Sequence, residues 1–277
     1  MIAGYESGKD NPRIPLFAYH ATLCSPPTTQ PTIEPLISPG LTGAFVIHNA
    51  LAASECQHLI TASERMGYTQ ETPVSLGREV RKNDAAVLIV SEDVCKTLFH
   101  RIQSFLAKFV PGISPTSRVG ELIGLNARWR LYRYQESSGD VFRPHRDGGW
   151  TESKLDANNK LSPPLSPLTS LSFYTFLIYL NDDFEGGETT FLVPVHEAAK
   201  RRLDSGQATI DDLLAVSVPP RQGSVLVFPH GMNPLGSLLH QGNPVRSRGG
   251  VKYVARTDVL YRIYPSTETE TAKMGSL

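Results

Sequence analysis

Short alternating strands fill the chain after residue 122, helical periodicities gather toward its front, and no internal repeat is present. Together these predict an α+β fold built around a closed or sandwiched β-sheet. Residues 1–40 are rich in Pro, Thr and Ser, as in Ser25-Pro26-Pro27-Thr28-Thr29-Gln30-Pro31. Such composition predicts an irregular arm. A single domain is expected over 41–264, with an insertion at about 194–216, and the polar residues 265–277 are expected as a flexible tail.

Within the domain, Gly43 to His48 reads as a short strand. Ser54 is a candidate N-cap for a helix through Met66, with Cys56, Leu59, Ile60 and Ala62 as its apolar stripe. Residues 69–84 read as a polar loop ending in Arg81-Lys82-Asn83-Asp84, and a second helix is expected from Ser91 to about Val110. Residues 126–134 alternate, with Asn126, Arg128, Arg130, Tyr132 and Tyr134 on one side and Ala127, Trp129, Leu131 and Arg133 on the other. The polar, Pro-rich stretch 151–168 is a candidate lid. Leu171 to Leu180 is a strongly apolar strand, broken by Asn181-Asp182-Asp183 and Gly186-Gly187 and resumed by Glu188 to Leu192. Residues 196–215 read as a helical insertion, Gly223 to Phe228 as a strand, and Val251 to Arg262 as the last long strand.

The 277 residues suffice for a large core without disulfides, since a chain of this size buries about three quarters of its unfolded surface. With 27 basic and 27 acidic residues the formal net charge is zero, so the basic footprint of a nucleic-acid binder is lacking. Cys24, Cys56 and Cys95 show no metal-ligand spacing and suit free thiols in a reducing compartment. No apolar run approaches membrane-spanning length, and neither a signal peptide nor a transit peptide is expected at the N-terminus. The expected location is the cytoplasm, with the nucleus still open; oligomeric state is not legible.

The stretch Phe142-Arg143-Pro144-His145-Arg146-Asp147-Gly148-Gly149 carries the chemistry. On an extended segment residues i and i+2 share a side, so His145 and Asp147 can grip one metal ion. A lone His-x-Asp is weak; a third ligand downstream makes it specific. His196, His230 and His240 are the candidates, and His240 is favoured because Lys252 follows it by 12 positions on the next strand. Two imidazoles and one carboxylate on one face suit Fe(II) and leave three positions open.

Seven pieces in order resemble the prolyl 4-hydroxylase-like branch of the 2-oxoglutarate/Fe(II)-dependent dioxygenase superfamily, across about residues 43 to 262. They are Tyr132-Arg133-Tyr134, Pro144 to Gly148, Phe176-Leu177-Ile178-Tyr179-Leu180-Asn181, Gly186-Gly187-Glu188-Thr189, Gly223 to Phe228, His240 with Pro244-Val245, and Lys252 to Val259. The resemblance implies a double-stranded β-helix (jelly-roll, cupin-like) core with supporting N-terminal helices. It implies a hydroxylase that uses Fe(II), 2-oxoglutarate and O2, releases succinate and CO2, and is supported by ascorbate. His145, Asp147 and His240 resemble the catalytic iron ligands. Lys252 resembles the cation that pairs with the distal carboxylate of 2-oxoglutarate, and Tyr134, Tyr179 and Leu177 resemble residues of the cosubstrate pocket. Asp147 is a carboxylate that halogenating relatives lack, which implies oxygen transfer. The 196–215 insertion and the stretch 229–239 lengthen the gap before His240, and the step to Lys252 is slightly longer than in collagen-type enzymes.

The substrate is expected to be an amino-acid-like, peptidyl or other small molecule. If Lys252 and Tyr134 point inward, then Arg256, Tyr132, Arg130 and Arg128 line the same interior, which suits an anionic substrate. The opposing expectation is an internal pair, with Asp258 satisfying Arg256 or Arg130. Asn83 lies on a loop that could cover the mouth. Two rival functions remain at this point: a non-catalytic jelly-roll module that binds metal, 2-oxo acid or a partner, and a metalloenzyme of different chemistry that needs no Lys252.

Overall fold

The computed structural model describes residues 1–6, 14–20, 23, 26–70, 80–109, 119–162 and 169–264. The elements in order are β1 (Ile2–Glu6), β2 (Ile14–Tyr19), β3 (Thr32–Pro35), β4 (Phe45–His48), α1 (Ala53–Met66), β5 (Arg81–Lys82), β6 (Asp84–Val90), α2 (Glu92–Phe109), β7 (Val119–Leu125), β8 (Arg128–Gln135), β9 (Val141–His145), β10 (Ser170–Tyr179), β11 (Thr189–Pro194), α3 (Glu197–Asp204), β12 (Leu213–Val218), β13 (Val225–Pro229), β14 (His240–Gly242) and β15 (Val251–Ile263).

The strands form two sheets. The larger has the order β1-β2-β6-β8-β15-β10-β13-β4-β3, with β7 pairing the far half of β15; the smaller has the order β12-β11-β14-β9-β5. Along the chain, β8, β10, β13 and β15 go to the larger sheet while β9, β11, β12 and β14 go to the smaller one. That alternation is the double-stranded β-helix, an α+β jelly roll with few helices. A core between the sheets gathers Tyr132, Tyr134, Tyr179, Phe191, Leu226, Phe228 and Val254. A second core, behind the larger sheet, packs α1 and α2 through Cys56, Leu59, Leu98 and Ile102 against Trp129, Leu131 and Ile178. Trp129 and Leu131 therefore face the helices, and their i±1 neighbours on β8 face the other sheet.

Several expectations are corrected. The arm 1–40 contains three strands, β1 to β3, which extend both edges of the larger sheet; its Pro-rich composition belongs to the connections between them. Ser54 lies inside the first turn of α1. Ala52 holds the cap position, and its N–H is taken by the Glu55 carboxylate at 2.9 Å. The loop over 69–84 is interrupted at its end: β5 pairs with β9, and β6 begins at Asp84. The helical insertion is split into α3, which ends at Asp204, and a single 3-10 turn over Ile210–Asp212, and Leu213 and Leu214 belong to strand β12. Of the candidate lid, 151–162 is tied down: the Asn126 amide binds Thr151 O and Ser153 N, and Leu161 N donates to Ala3 O. Residues 163–168 and the expected tail 265–277 lie outside the described residues. Among the described residues no helix is long and apolar enough to cross a membrane.

Candidate iron and 2-oxoglutarate site

His145 is the last residue of β9, His240 is the first of β14, and the two stand directly opposite each other in the ladder. Asp147 lies two residues past His145, where the chain leaves the sheet. One ligand atom from each lies within 4.8 Å of the others, and all three residues are buried. His145 Nε2 is 3.7 Å from Asp147 Oδ1, and His240 Nε2 is 3.7 Å from Asp147 Oδ2. Phe142 stacks on the His145 ring and Phe228 meets the His240 ring edge-on, so both imidazoles are fixed by packing.

The protons are placed by the second ring nitrogens. His145 Nδ1 lies 2.8 Å from Arg143 O, and His240 Nδ1 lies 3.0 Å from Leu238 O. A carbonyl only accepts, so each Nδ1 carries hydrogen and each Nε2 offers a lone pair. Burial, reinforced by the neighbouring His240, pushes His145 down to about 3, and burial likewise lowers His240. Burial alone would raise the Asp147 carboxyl, but Arg256 and the two imidazoles hold it well below the usual carboxylate range. Two lone pairs and a carboxylate thus face one another in a dry pocket. This is a donor set that calls for a cation, and the His₂-carboxylate composition fits Fe(II).

Asp147 is itself held from behind. Its Oδ1 accepts from Arg256 Nη1 at 2.9 Å, and its Oδ2 accepts from Thr175 Oγ1 at 2.7 Å. Since the Thr175 proton goes to Asp147, His230 Nδ1 at 2.8 Å donates to Thr175. His230 Nε2 then accepts from Ser172 Oγ at 3.0 Å, and Ser172 Oγ accepts from Trp150 N–H at 2.8 Å. His230 is therefore bound to Thr175 and Ser172 and lies outside the ligand cluster. His196 caps α3 by accepting from Ala199 N. Of the three candidates for third ligand, only His240 converges with His145 and Asp147.

A narrow cavity opens on these ligands. Lys252, Tyr134, Tyr132, Leu177 and Arg256 line it. Lys252 is 2% exposed, its Nζ donates to Gly187 O at 2.6 Å, and it faces the rings of Tyr134 and Tyr179. Burial lowers its ammonium to about 8, with Glu188 drawing it partly back. Tyr179 sits behind this group, donating to Thr189 Oγ1 at 2.9 Å. Gly187 has a positive φ of 67°, and a Cβ there would lie 3.0 Å from the Lys252 chain and closer still to Phe184.

The remaining candidates separate. Arg256 is engaged by Asp147 and by Asp258 at 3.2 Å, which realises the internal pair. Arg128 and Arg130 lie under the Trp150 ring. Asn83 accepts from Arg81 Nε, and Arg81 in turn lies 4.5 Å over the Tyr132 ring, so Asn83 braces a neighbour of the cavity. Burial raises the Tyr132 phenol, but Arg81, Arg130 and Arg256 draw it downward on balance. Thr175 and Thr189 also line the cavity; Thr189 ends the piece Gly186-Gly187-Glu188-Thr189, while strand parity with Leu177 and Tyr179 was the available signal for Thr175.

Residues 129–257 match the sequence profile of the 2OG-Fe(II) oxygenase superfamily. The matched stretch contains His145, Asp147, His240 and Lys252. A comparison with curated protein sequences finds no match. Among solved structures, the viral collagen prolyl hydroxylase of Paramecium bursaria Chlorella virus-1, in complex with 2-oxoglutarate, is 17% identical over 80% of this chain and 97% of its own, with a TM-score of 0.46. A Pseudomonas putida prolyl-4-hydroxylase is 13% identical over 80% and 93%, with a TM-score of 0.48. HygX from Streptomyces hygroscopicus, with nickel and 2-oxoglutarate bound, is 17% identical over 84% and 90%, with a TM-score of 0.41.

Proposed function

We propose that the protein is an Fe(II)- and 2-oxoglutarate-dependent oxygenase that hydroxylates a C–H bond of an amino-acid-like, peptidyl or other small-molecule substrate, in the manner of the prolyl 4-hydroxylase-like branch. The observation that carries this reading is convergence: three buried ligand atoms within 4.8 Å and a buried ammonium line the same cavity. His145, Asp147 and His240 would hold Fe(II), which when bound supplies the site for O2 and for the oxidative decarboxylation of 2-oxoglutarate. Lys252 would take the distal carboxylate of 2-oxoglutarate. A desolvated carboxylate needs a fixed cation, and a desolvated ammonium gains from the same contact. Tyr134 and Leu177 would form the walls of that pocket, and Tyr179 would position Thr189 beside it. Phe142, Phe228 and Leu177 keep the pocket dry. Ascorbate would support turnover by returning oxidised iron to Fe(II). The buried free thiols of Cys56 and Cys95 favour a reducing, cytoplasmic location.

The test is succinate release with Fe(II) and 2-oxoglutarate across a panel of amino acids, peptides and metabolites. His145→Ala serves as the blank. The wild type should release succinate above the blank, with one member of the panel stimulating it. Equal nonzero turnover in both proteins discards the site, and stoichiometric 2-oxoglutarate binding without succinate identifies a non-catalytic module.

A further inference from the structure

Arg130 is 2% exposed, yet its Nε and Nη2 have no hydrogen-bond partner among the described residues. These two atoms are the side-on edge of a guanidinium, the edge whose parallel N–H bonds match the two oxygens of a carboxylate. A fold rarely leaves a buried cation uncompensated without a ligand in view. The nearby carboxylates are already taken: Asp147 and Asp258 both bind Arg256. Burial disfavours the charged Arg130 and Arg256 adds to that effect, with Tyr132, Asp258 and Asp147 offsetting part of it.

The position of this edge relates it to the reaction. Arg130 pairs with Arg256 across β8 and β15, just as Tyr134 pairs with Lys252. Lys252, Val254 and Arg256 share one side of β15 and line the cavity with Tyr132 and Tyr134; the register places Arg130 on that same side of β8, next beyond Tyr132. Lys252 therefore stands at one end of this face and Arg130 at the other, with Arg256, the partner of iron ligand Asp147, beside Arg130. Over Arg130 lies the half-buried Trp150 ring, 4.0 Å from the guanidinium carbon. Trp150 follows Gly148-Gly149 in a stretch without regular structure.

We propose that Arg130 is the seat of a carboxylate carried by the substrate, on the side of the metal away from Lys252, with Trp150 as the aromatic wall over it. This deepens the hydroxylase reading and rests on it. The acid belongs either to a free small molecule or to the terminus or side chain of a peptide. The uncharged amide of the same compound lacks the counter-charge and is rejected.

The test uses the full chain with Mn(II) and saturating 2-oxoglutarate, so that the cosubstrate pocket is filled and no turnover occurs. Trp129 is fully buried and Trp150 is half-buried, so a change in tryptophan emission confined to wild type and lost in Trp150→Phe reports on the seat. The probes are N-acetylglycine and 4-phenylbutyrate against their primary amides, and a tetrapeptide with a free against an amidated C-terminus. We expect each acid to bind about tenfold or more tightly than its amide, and Arg130→Gln to erase that preference while binding Mn(II) and 2-oxoglutarate as wild type does. Small acids alone showing the preference assign a free-acid substrate, and the peptide pair alone showing it assigns a peptide. Equal binding of acids and amides by the wild type overturns the seat, whether or not the variant folds; so does an undiminished preference in Arg130→Gln. Succinate release with Fe(II) in place of Mn(II), without substrate and across the panel of amino acids, peptides and metabolites, is measured in parallel. Its absence alongside a clear acid preference removes the hydroxylase reading and leaves the seat, and its presence without a preference does the reverse.

Discussion

With Lys252 as the proposed seat of the 2-oxoglutarate carboxylate, its proton occupancy would set cosubstrate binding. In the free protein burial holds its ammonium at about 8, while a bound carboxylate favours the charged form. The sign follows. Below about pH 8 the cation is present and 2-oxoglutarate binds fully; above it, each pH unit removes up to about tenfold of the charged form and of the apparent affinity. The KM for 2-oxoglutarate should therefore rise from about pH 8 upward, while kcat at saturation stays flat, because the saturated complex keeps its proton. A Lys252→Met variant should bind weakly at every pH with no such slope. A wild-type KM that is level from about pH 7 to 10 contradicts the role of Lys252. Thr175 would act on a bound metal through Asp147, to which it donates. Replacing it by Val keeps the shape, removes the 2.7 Å bond to Oδ2 and leaves His230 Nδ1–H without its acceptor. Metal affinity should fall about 10- to 100-fold, read by Mn(II) titration at fixed 2-oxoglutarate. An unchanged affinity would show that Arg256 alone orients the carboxylate.

Among the elements, α1 and α2 are locked by one buried ion pair. Glu55 is 3% exposed and accepts from Arg101 Nη1 and Nη2 at 2.8 and 2.9 Å, and from the Ala52 N–H. Arg101 also donates to Leu23 O, so the pair fixes part of the N-terminal arm. Glu55→Ala leaves a half-buried guanidinium with only Leu23 O as partner and should cost roughly 1–3 kcal/mol of stability. A denaturant midpoint within experimental error of wild type would contradict this. The sequence showed these helices through their apolar periodicity, but not the pair, since Glu55 and Arg101 are 46 residues apart. Strand parity read the interior of β8 and β15 correctly, because one neighbouring side chain of known direction orients all the others. It failed for β6, whose seven residues are all buried: with both faces covered there is no alternation to see. It failed for β12 because its leucines also fit a helical spacing. His240 could be preferred over His230 by its distance to Lys252, but only the pairing of β14 with β9 decides between them. The orphaned edge of Arg130 was illegible, because it depends on which carboxylate Arg256 had already taken.

At the scale of the whole molecule, the N-terminal arm and the site wall are one mechanical unit. β2 pairs in parallel with β6 and β1 covers β2, so these strands close an edge of the larger sheet that would otherwise present a fully buried strand to solvent. Ala3, Ile14 and Leu16 are buried in that cover. The same strand β1 also holds the segment after Trp150: Leu161 N donates to Ala3 O and Lys160 Nζ to Ile2 O. Deleting residues 1–20 should therefore have two separable effects. The uncovered β6 edge should make the protein associate, because an unpaired apolar strand recruits others, and this is read by light scattering against concentration. The loosened 151–162 segment should let Trp150 shift from Arg130, read as a change in tryptophan emission in the fraction that remains monomeric. Of the proposed iron ligands, His145 and His240 lie on β9 and β14 of the other sheet and Asp147 lies just past β9, so Mn(II) binding by that monomeric fraction should persist. If the truncated protein stays monomeric with unchanged emission, the arm is an appendage; if it loses Mn(II) binding as well, the two sheets depend on each other more closely than their separate cores imply.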